Sequence, residues 1–139
     1  MKLVYPAILY PCQENEGYTV EVPDLPGCVS EGNSLADAIF MGTDAASGWI
    51  LDEWEDGNAV PPPSHPSDIH PEEGGIVTLL ALDMLSYAEK YGAKAIRKNL
   101  TIPAYLNTFA EANGVNFSNV LQEALTALMQ AQTSKKQYR

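Results

Sequence analysis

The chain has 139 residues and a net charge of −10, which suits one medium domain or a larger domain with a small satellite. No run approaches the roughly 18 consecutive apolar residues of a membrane span, and Met1 leads into a strand-like segment without a signal peptide. We therefore expect a cytoplasmic protein. Cys12 and Cys28 lack CxxC spacing, which argues against a disulfide framework and against a zinc site.

The first part of the chain predicts three strands. Residues 3–10 and 18–23 are rich in β-branched and aromatic residues, as strands are, and the polar residues 13–17 between them predict a hairpin. Two prolines and a glycine within residues 23–27 turn the chain before a short third strand at residues 28–31.

One long amphipathic helix follows. Ser34, with Asp37 three residues later, is typical of a helix start, and the helix is expected to end near Gly57. The apolar residues that repeat at helical spacing are Leu35, Ala38, Ile39, Gly42, Ala45, Ala46, Trp49 and Ile50. The acidic residues of the outward side are Asp37, Asp44, Asp52, Glu53, Glu55 and Asp56. We therefore expect a continuous acidic surface on this helix.

A strand and a short helix complete the predicted N-terminal domain. The proline-rich residues 61–75 cannot continue a helix and predict an extended loop. The apolar residues 76–82 are of strand length, and Asp83 can cap a helix over residues 84–91. The resulting order βββαβ predicts an α+β domain with the long helix on one face of an open sheet.

The remaining residues predict one strand and two helices. Residues 96–102 alternate as a strand, Pro103 is placed at the first position of a helix that stops at Gly114, and Asn116 can cap a second helix. Such a unit contains too little apolar surface for a stable monomer, and its lone strand has two unpaired edges. Pairing of two copies would solve both problems.

Charge is divided unevenly between the two parts. Residues 1–89 contain sixteen acidic residues and one basic residue, a net charge of −15, whereas residues 90–139 contain seven basic and two acidic residues, a net charge of +5. Acidic surfaces also keep proteins in solution, so the first value alone does not identify a partner. The asymmetry favours a basic partner for the first part and a polyanion for the second.

Residues 93–131 resemble the ribbon-helix-helix family at every element, including the proline after the strand and the G-x-N-x-S sequence before the second helix. In that family two copies pair their strands, and the ribbon enters the major groove of DNA. The period of two places three polar residues on one ribbon face, which the resemblance assigns to base contacts: Arg97, Asn99 and Thr101. The expected phosphate contacts are Lys98 and the helix-start residues Phe117, Ser118 and Asn119.

The first part resembles the HicB-like domain, a partial RNase H-like fold. The resemblance is carried by YPAILYP at residues 5–11, EGYTVEVPDLPGCVSEG at 16–32, SLADAI at 34–39 and VPPPS at 60–64. It implies domains at residues 1–91 and 92–139, of which the first binds and blocks a small basic HicA-type mRNA-cleaving toxin. The expected toxin contacts are Asp37, Asp44, Asp52, Glu53, Trp54 and Asp56.

The resulting interpretation is a non-enzymatic antitoxin that represses its own operon. Its expected partners are the HicA-type toxin, operator DNA and a second copy of itself, with tetramers left open. The alternative is a stand-alone regulator with a ligand-sensing first domain, and the gene beside it would distinguish the two. A third alternative, an RNA-processing enzyme, would need the acidic domain to bind RNA. The net charge of −15 on residues 1–89 argues strongly against it, because RNA is a polyanion. We see no catalytic constellation and expect no cofactor. His65, Asp68 and His70 lie in a loop too poorly preorganised to be expected to bind metal.

Overall fold

The computed structural model describes the backbone of residues 1–137 and the side chains of residues 1–132. The chain divides into two compact units: the N-terminal unit is Lys2–Ala93, and the C-terminal unit begins at Lys94. Residues 138 and 139, the end of the predicted C-terminal domain, lie outside the described residues. Over the described part of the chain, no helix is long and apolar enough to cross a membrane.

A four-stranded antiparallel sheet forms the base of the N-terminal unit. The strands are β1 (Lys2–Pro11), β2 (Tyr18–Glu21), β3 (Val29–Gly32) and β4 (Ile76–Asp83). Their order in the sheet is β3-β2-β1-β4, so the long β1 is central and pairs with both β2 and β4. The register places Leu9 opposite Val20 and Tyr5 opposite Leu80. The predicted α+β unit with an N-terminal sheet is therefore confirmed.

Helix α1 (Leu35–Glu55) packs on one face of this sheet. Ala38, Gly42, Ala46 and Ile50 recur every four residues and are buried, because that spacing keeps them on one side of the helix. A Cβ atom at Gly42 would lie 2.9 Å from Cγ2 of Val20, so glycine allows the helix to come close to β2. The core between helix and sheet also contains Leu9, Leu25, Leu80, Leu82 and Met84.

Leu35 was predicted to belong to the apolar side of α1, and that prediction was wrong, because Leu35 is exposed. The helix first meets the sheet at Ala38. A Cβ atom added at Gly32 of β3 would overlap the backbone nitrogen of Ala38. Trp49, also predicted in the core, is half-buried, and its Nε1 donates to the carbonyl of Pro26 at 3.0 Å. This bond ties α1 to the turn between β2 and β3.

The loop between α1 and β4 is fixed by long-range hydrogen bonds. The carboxylate of Asp24 accepts from both the backbone N–H and the hydroxyl of Ser64, at 2.8 and 2.6 Å, across 40 residues of chain. The Tyr5 hydroxyl donates to the carbonyl of Pro61 at 2.6 Å. Burial, and secondarily the Asp24 carboxylate, raise the pKa of Tyr5 to about 12. The proline-rich segment is thus fastened to β1 and to the turn after β2.

Replacing Asp24 by alanine is expected to destabilise the protein by about 2 kcal/mol, because two hydrogen bonds to a charged acceptor are lost. Urea unfolding of the full chain measures this loss, and the pKa of Tyr5 should fall as the neighbouring charge is removed. Glu73→Ala, an exposed carboxylate in the same loop, is the matched control. Equal unfolding midpoints for the two variants would contradict the role given to Asp24.

The C-terminal unit contains two helices, α3 (Ala104–Ala112) and α4 (Phe117–Gln137); the short α2 (Met84–Tyr91) precedes it. Pro103 was predicted at the first helical position of α3. It lies one residue earlier, at the N-cap position, because its ψ of 142° is extended. Gly114 lies between the helices with a φ of +64°, a conformation that favours glycine. Residues 92–103, predicted to contain a strand, are neither helix nor strand in the single chain.

Candidate functional site

The predicted acidic contacts lie along α1 but differ in exposure. Asp37 and Asp44 are seven residues apart, about two helical turns, and therefore lie on one side of the helix. Asp44 is exposed, as are Asp52 further along and Asp56 at the C-cap, whereas Glu53 and Trp54 are half-buried. The structure thus spreads the predicted acidic residues along the helix and its end.

Asp37 also has a structural role at the start of α1. The Ser34 hydroxyl accepts from the Asp37 N–H at 3.1 Å, and the Asp37 carboxylate accepts from the Asn33 N–H at 2.9 Å. The predicted capping arrangement is therefore present, with the return bond one residue earlier than a capping box would place it. Because Asp37 stabilises the helix start, its substitution would change both charge and local structure.

Two apolar side chains on the outer side of α1 were missed by sequence analysis. Phe40 is 74% exposed and Met41 is 44% exposed. They lie one turn from Asp37 on one side and one turn from Asp44 on the other, the i, i+3, i+4, i+7 spacing of a single helix face. We call these four residues the outer stripe. The sequence contained one indication of their exposure: Phe40 and Met41 do not belong to the apolar repeat that faces the sheet.

Helix α2 lies beside α1, with Tyr87 close to Gly48. A Cβ atom at Gly48 would lie 3.1 Å from the Tyr87 hydroxyl, so the glycine leaves room for this ring. Burial, then the charges of Asp44, Tyr91 and Asp52, raise the pKa of Tyr87. The Tyr87 phenol of α2 therefore lies near the acidic side chains of α1.

Four of the seven predicted DNA-contacting residues lie in the extended segment before α3. Arg97, Lys98, Asn99 and Thr101 are all exposed. The segment does not form a strand within one chain, because a strand requires a neighbouring backbone to pair with. The structure therefore leaves the proposed ribbon residues accessible and their backbone without a sheet partner in the chain.

The apolar residues of the C-terminal unit are also exposed. Ile96 is 80% exposed and Leu100 is 63% exposed. Between residues 94 and 132 the single buried residue is Ala110. The exposed apolar residues of the two helices are Tyr105, Leu106, Phe109, Phe117, Val120, Leu121, Leu125, Leu128 and Met129. So many exposed apolar side chains in one small unit are typical of a binding interface in a native protein.

The start of α4 is arranged as the sequence predicted, with one difference. Asn116 caps the helix, because its side-chain oxygen accepts from the Asn119 N–H at 3.1 Å. That N–H, predicted to point at a phosphate, is engaged in the cap. Phe117 and Ser118 remain as first-turn residues whose N–H groups have no acceptor within an α-helix.

The histidine-containing loop has a structural arrangement. His65 caps a short 3-10 turn, Pro66–Asp68, with its ring nitrogen accepting from the Ser67 N–H at 3.1 Å. Among the residues that the structure describes, no group of three or more His, Cys, Asp or Glu side chains is placed to hold a metal ion.

The chain thus combines an acidic α+β unit with a small basic helical unit that exposes many apolar side chains. Residues 5–125 match the family described as the HicB-like antitoxin of bacterial toxin-antitoxin systems. The match spans most of the chain, and the protein therefore belongs to this antitoxin family.

Individual relatives support this membership. An uncharacterised 14.9 kDa protein from the rep-hol intergenic region of Haemophilus phage HP1 is 38% identical over 106 residues, covering 71% of this chain and 76% of that protein. A toxin-antitoxin complex from Streptococcus pneumoniae shares the fold, with a TM-score of 0.59, 22% identity and coverage of 91% and 99% of the two chains. A HicA3 and HicB3 toxin-antitoxin complex matches 58% of this chain and 99% of its own, with a TM-score of 0.50 and 28% identity.

Proposed function

We propose that this protein is a cytoplasmic, non-enzymatic antitoxin that occludes a HicA-type mRNA-cleaving toxin and represses its own operon. The observation that carries the proposal is the change of charge sign at the boundary between the units. Lys2–Ala93 contains sixteen acidic and two basic residues, a net charge of −14, and the sequence from residue 94 onward contains six basic and two acidic residues, a net charge of +4.

The N-terminal unit is proposed to bind the toxin. A strongly acidic surface attracts a basic protein and raises the rate of encounter, as complementary charge does at other protein interfaces. The solved HicA3 and HicB3 complex, which matches 58% of this chain at 28% identity, supports a HicA-type toxin as the partner. The exposed acids Asp44, Asp52 and Asp56, with half-buried Asp37, Glu53 and Trp54, are the proposed contact residues.

The fold of this unit is proposed to be partial RNase H-like without the nuclease activity of that fold. The β1–β3 meander with α1 on one face supports the description. Nuclease chemistry of that kind needs carboxylates grouped around metal ions. The half-buried Asp24 instead uses both carboxylate oxygens to hold Ser64.

The C-terminal unit is proposed to form a ribbon-helix-helix dimer on operator DNA. Pairing residues 96–102 of two copies would supply each segment with a strand partner and would cover the exposed apolar faces of α3 and α4. The polar ribbon face would then present Arg97, Asn99 and Thr101 to base edges in the major groove. Lys98 and the free N–H groups of Phe117 and Ser118 at the start of α4 would contact phosphates, which set position without reading sequence.

The two activities are expected to separate at the boundary between the units. Residues 1–93, expressed alone beside the toxin of the neighbouring gene, should restore growth, because they contain the whole sheet and the acidic helix. Residues 94–139 should bind DNA without protecting the cells. The measurement is growth rescue with each fragment, and immunoblotting confirms that both fragments accumulate.

The opposite result would overturn this division. If residues 1–93 accumulate but neither restore growth nor bind the purified toxin, while residues 94–139 do both, the toxin-binding part has been assigned to the wrong unit. A neighbouring gene that encodes no small basic protein would instead favour a stand-alone regulator.

A further inference from the structure

The outer stripe of α1 combines apolar and acidic groups on one rigid support. Phe40 and Met41 face away from the sheet, because Ala38 and Gly42 on either side of them in sequence are buried against it. The helix is held close to the sheet where Gly42 meets Val20. The two exposed apolar side chains are therefore presented on a backbone that the core fixes in place.

Charge indicates what covers this surface. The stripe ends in a carboxylate on each side, Asp37 and Asp44, and it belongs to a unit of net charge −14. A second copy of the same stripe would bring like charges together, which costs free energy. A basic protein with an apolar depression would instead cover Phe40 and neutralise the carboxylates at its edges.

We propose that the outer stripe is the central toxin-docking surface, with Phe40 entering an apolar pocket of the basic toxin and Asp44 meeting a lysine or arginine at the pocket's rim. This inference rests on the proposed antitoxin function and adds to it the residue that anchors the complex. Aromatic residues that enter desolvated pockets dominate the binding free energy of protein interfaces, whereas charged residues at the rim mainly affect association rate.

The test uses the full-length protein and the purified toxin encoded by the neighbouring gene. Phe40→Ala should weaken toxin binding, measured by calorimetry, by about 30-fold or more, as truncation of an interface hot spot does. Leu79→Ala is the matched control, because Leu79 is 52% exposed in the same unit but alternates with Leu80 and Leu82, which face α1. The control should bind the toxin with unchanged affinity.

Asp44→Asn tests the charged edge of the stripe. This residue is preferred to Asp37, whose carboxylate also caps the helix. The variant should lower the association rate at low salt, and the difference from the unmodified protein should shrink as salt screens the charge.

Each outcome decides a different point. Toxin affinity of Phe40→Ala within about twofold of the unmodified protein would overturn the inference while leaving the antitoxin function intact. Failure of the unmodified protein to bind the toxin at all would overturn the proposed function itself. A change in oligomeric state by light scattering, with toxin affinity unchanged, would show that a copy of this chain covers the stripe and would also overturn the inference.

Discussion

Replacing Leu100 by aspartate is expected to convert the protein from an even-numbered oligomer into monomers with a largely unfolded C-terminal unit. Leu100 is 63% exposed in the single chain and alternates with the ribbon residues proposed to face DNA. In the proposed dimer its side chain enters the core between two copies. Burying a neutral polar group without a hydrogen-bond partner costs about 2–7 kcal/mol, and burying a carboxylate costs more. The dimer would contain this carboxylate twice.

Light scattering at micromolar concentration measures the change in mass, and circular dichroism measures the accompanying loss of helix. Thr101→Asp is the matched control, since it adds the same charge one residue away on the opposite ribbon face. It should keep the oligomer but lose DNA binding. A Leu100→Asp protein with the mass and helicity of the unmodified chain would show that this segment is not the dimer interface.

Replacing Arg97, Asn99 and Thr101 together by alanine is expected to abolish preference for the operator. Arginine can bridge two acceptors of guanine and asparagine can pair with adenine, each good pair contributing about 1–3 kcal/mol of discrimination. Since a dimer makes these contacts twice, operator affinity should fall by about a hundredfold or more. Fluorescence anisotropy with operator and random duplexes at a fixed salt concentration measures the loss.

Lys98→Ala provides the comparison for this experiment. It should weaken binding to operator and random DNA alike and should reduce the salt dependence by about one charge per site, because a phosphate contact does not read sequence. Thermal unfolding of the triple variant should match that of the unmodified protein, since all three side chains are exposed. Unchanged operator affinity in a folded triple variant would remove the ribbon face from DNA recognition.

Much of the N-terminal unit could be predicted because its signals are local. Ser34 and Asp83 cap the helices that follow them, and the strands lie close to the segments that their apolar, β-branched and aromatic residues predicted. The exposure of Phe40 could not be predicted, since helical spacing shows which side can face a core and leaves other apolar residues unassigned. The bond from Asp24 to Ser64 spans 40 residues, and a sequence pattern gives no indication of such a contact.

The C-terminal unit shows a different limit of sequence analysis. Its helices and the caps at Asn116 and Gly114 follow from local residue preferences. Residues 96–102 have the alternation of a strand, yet the single chain contains no strand there. Alternation of polar and apolar residues shows that a segment can form a strand with two different faces. The ribbon itself forms only where a second backbone pairs with that segment.

In the dimer proposed above, the near absence of buried side chains between residues 94 and 132 of a single chain would tie the lifetime of this protein to its abundance. A unit that folds by pairing is stabilised by mass action, so dilution shifts the population towards separate chains. Separate chains present residues 92–103 as an extended, accessible segment, the kind of site at which proteases cut. Turnover should therefore accelerate as synthesis slows, and a fall in supply would be amplified by faster degradation.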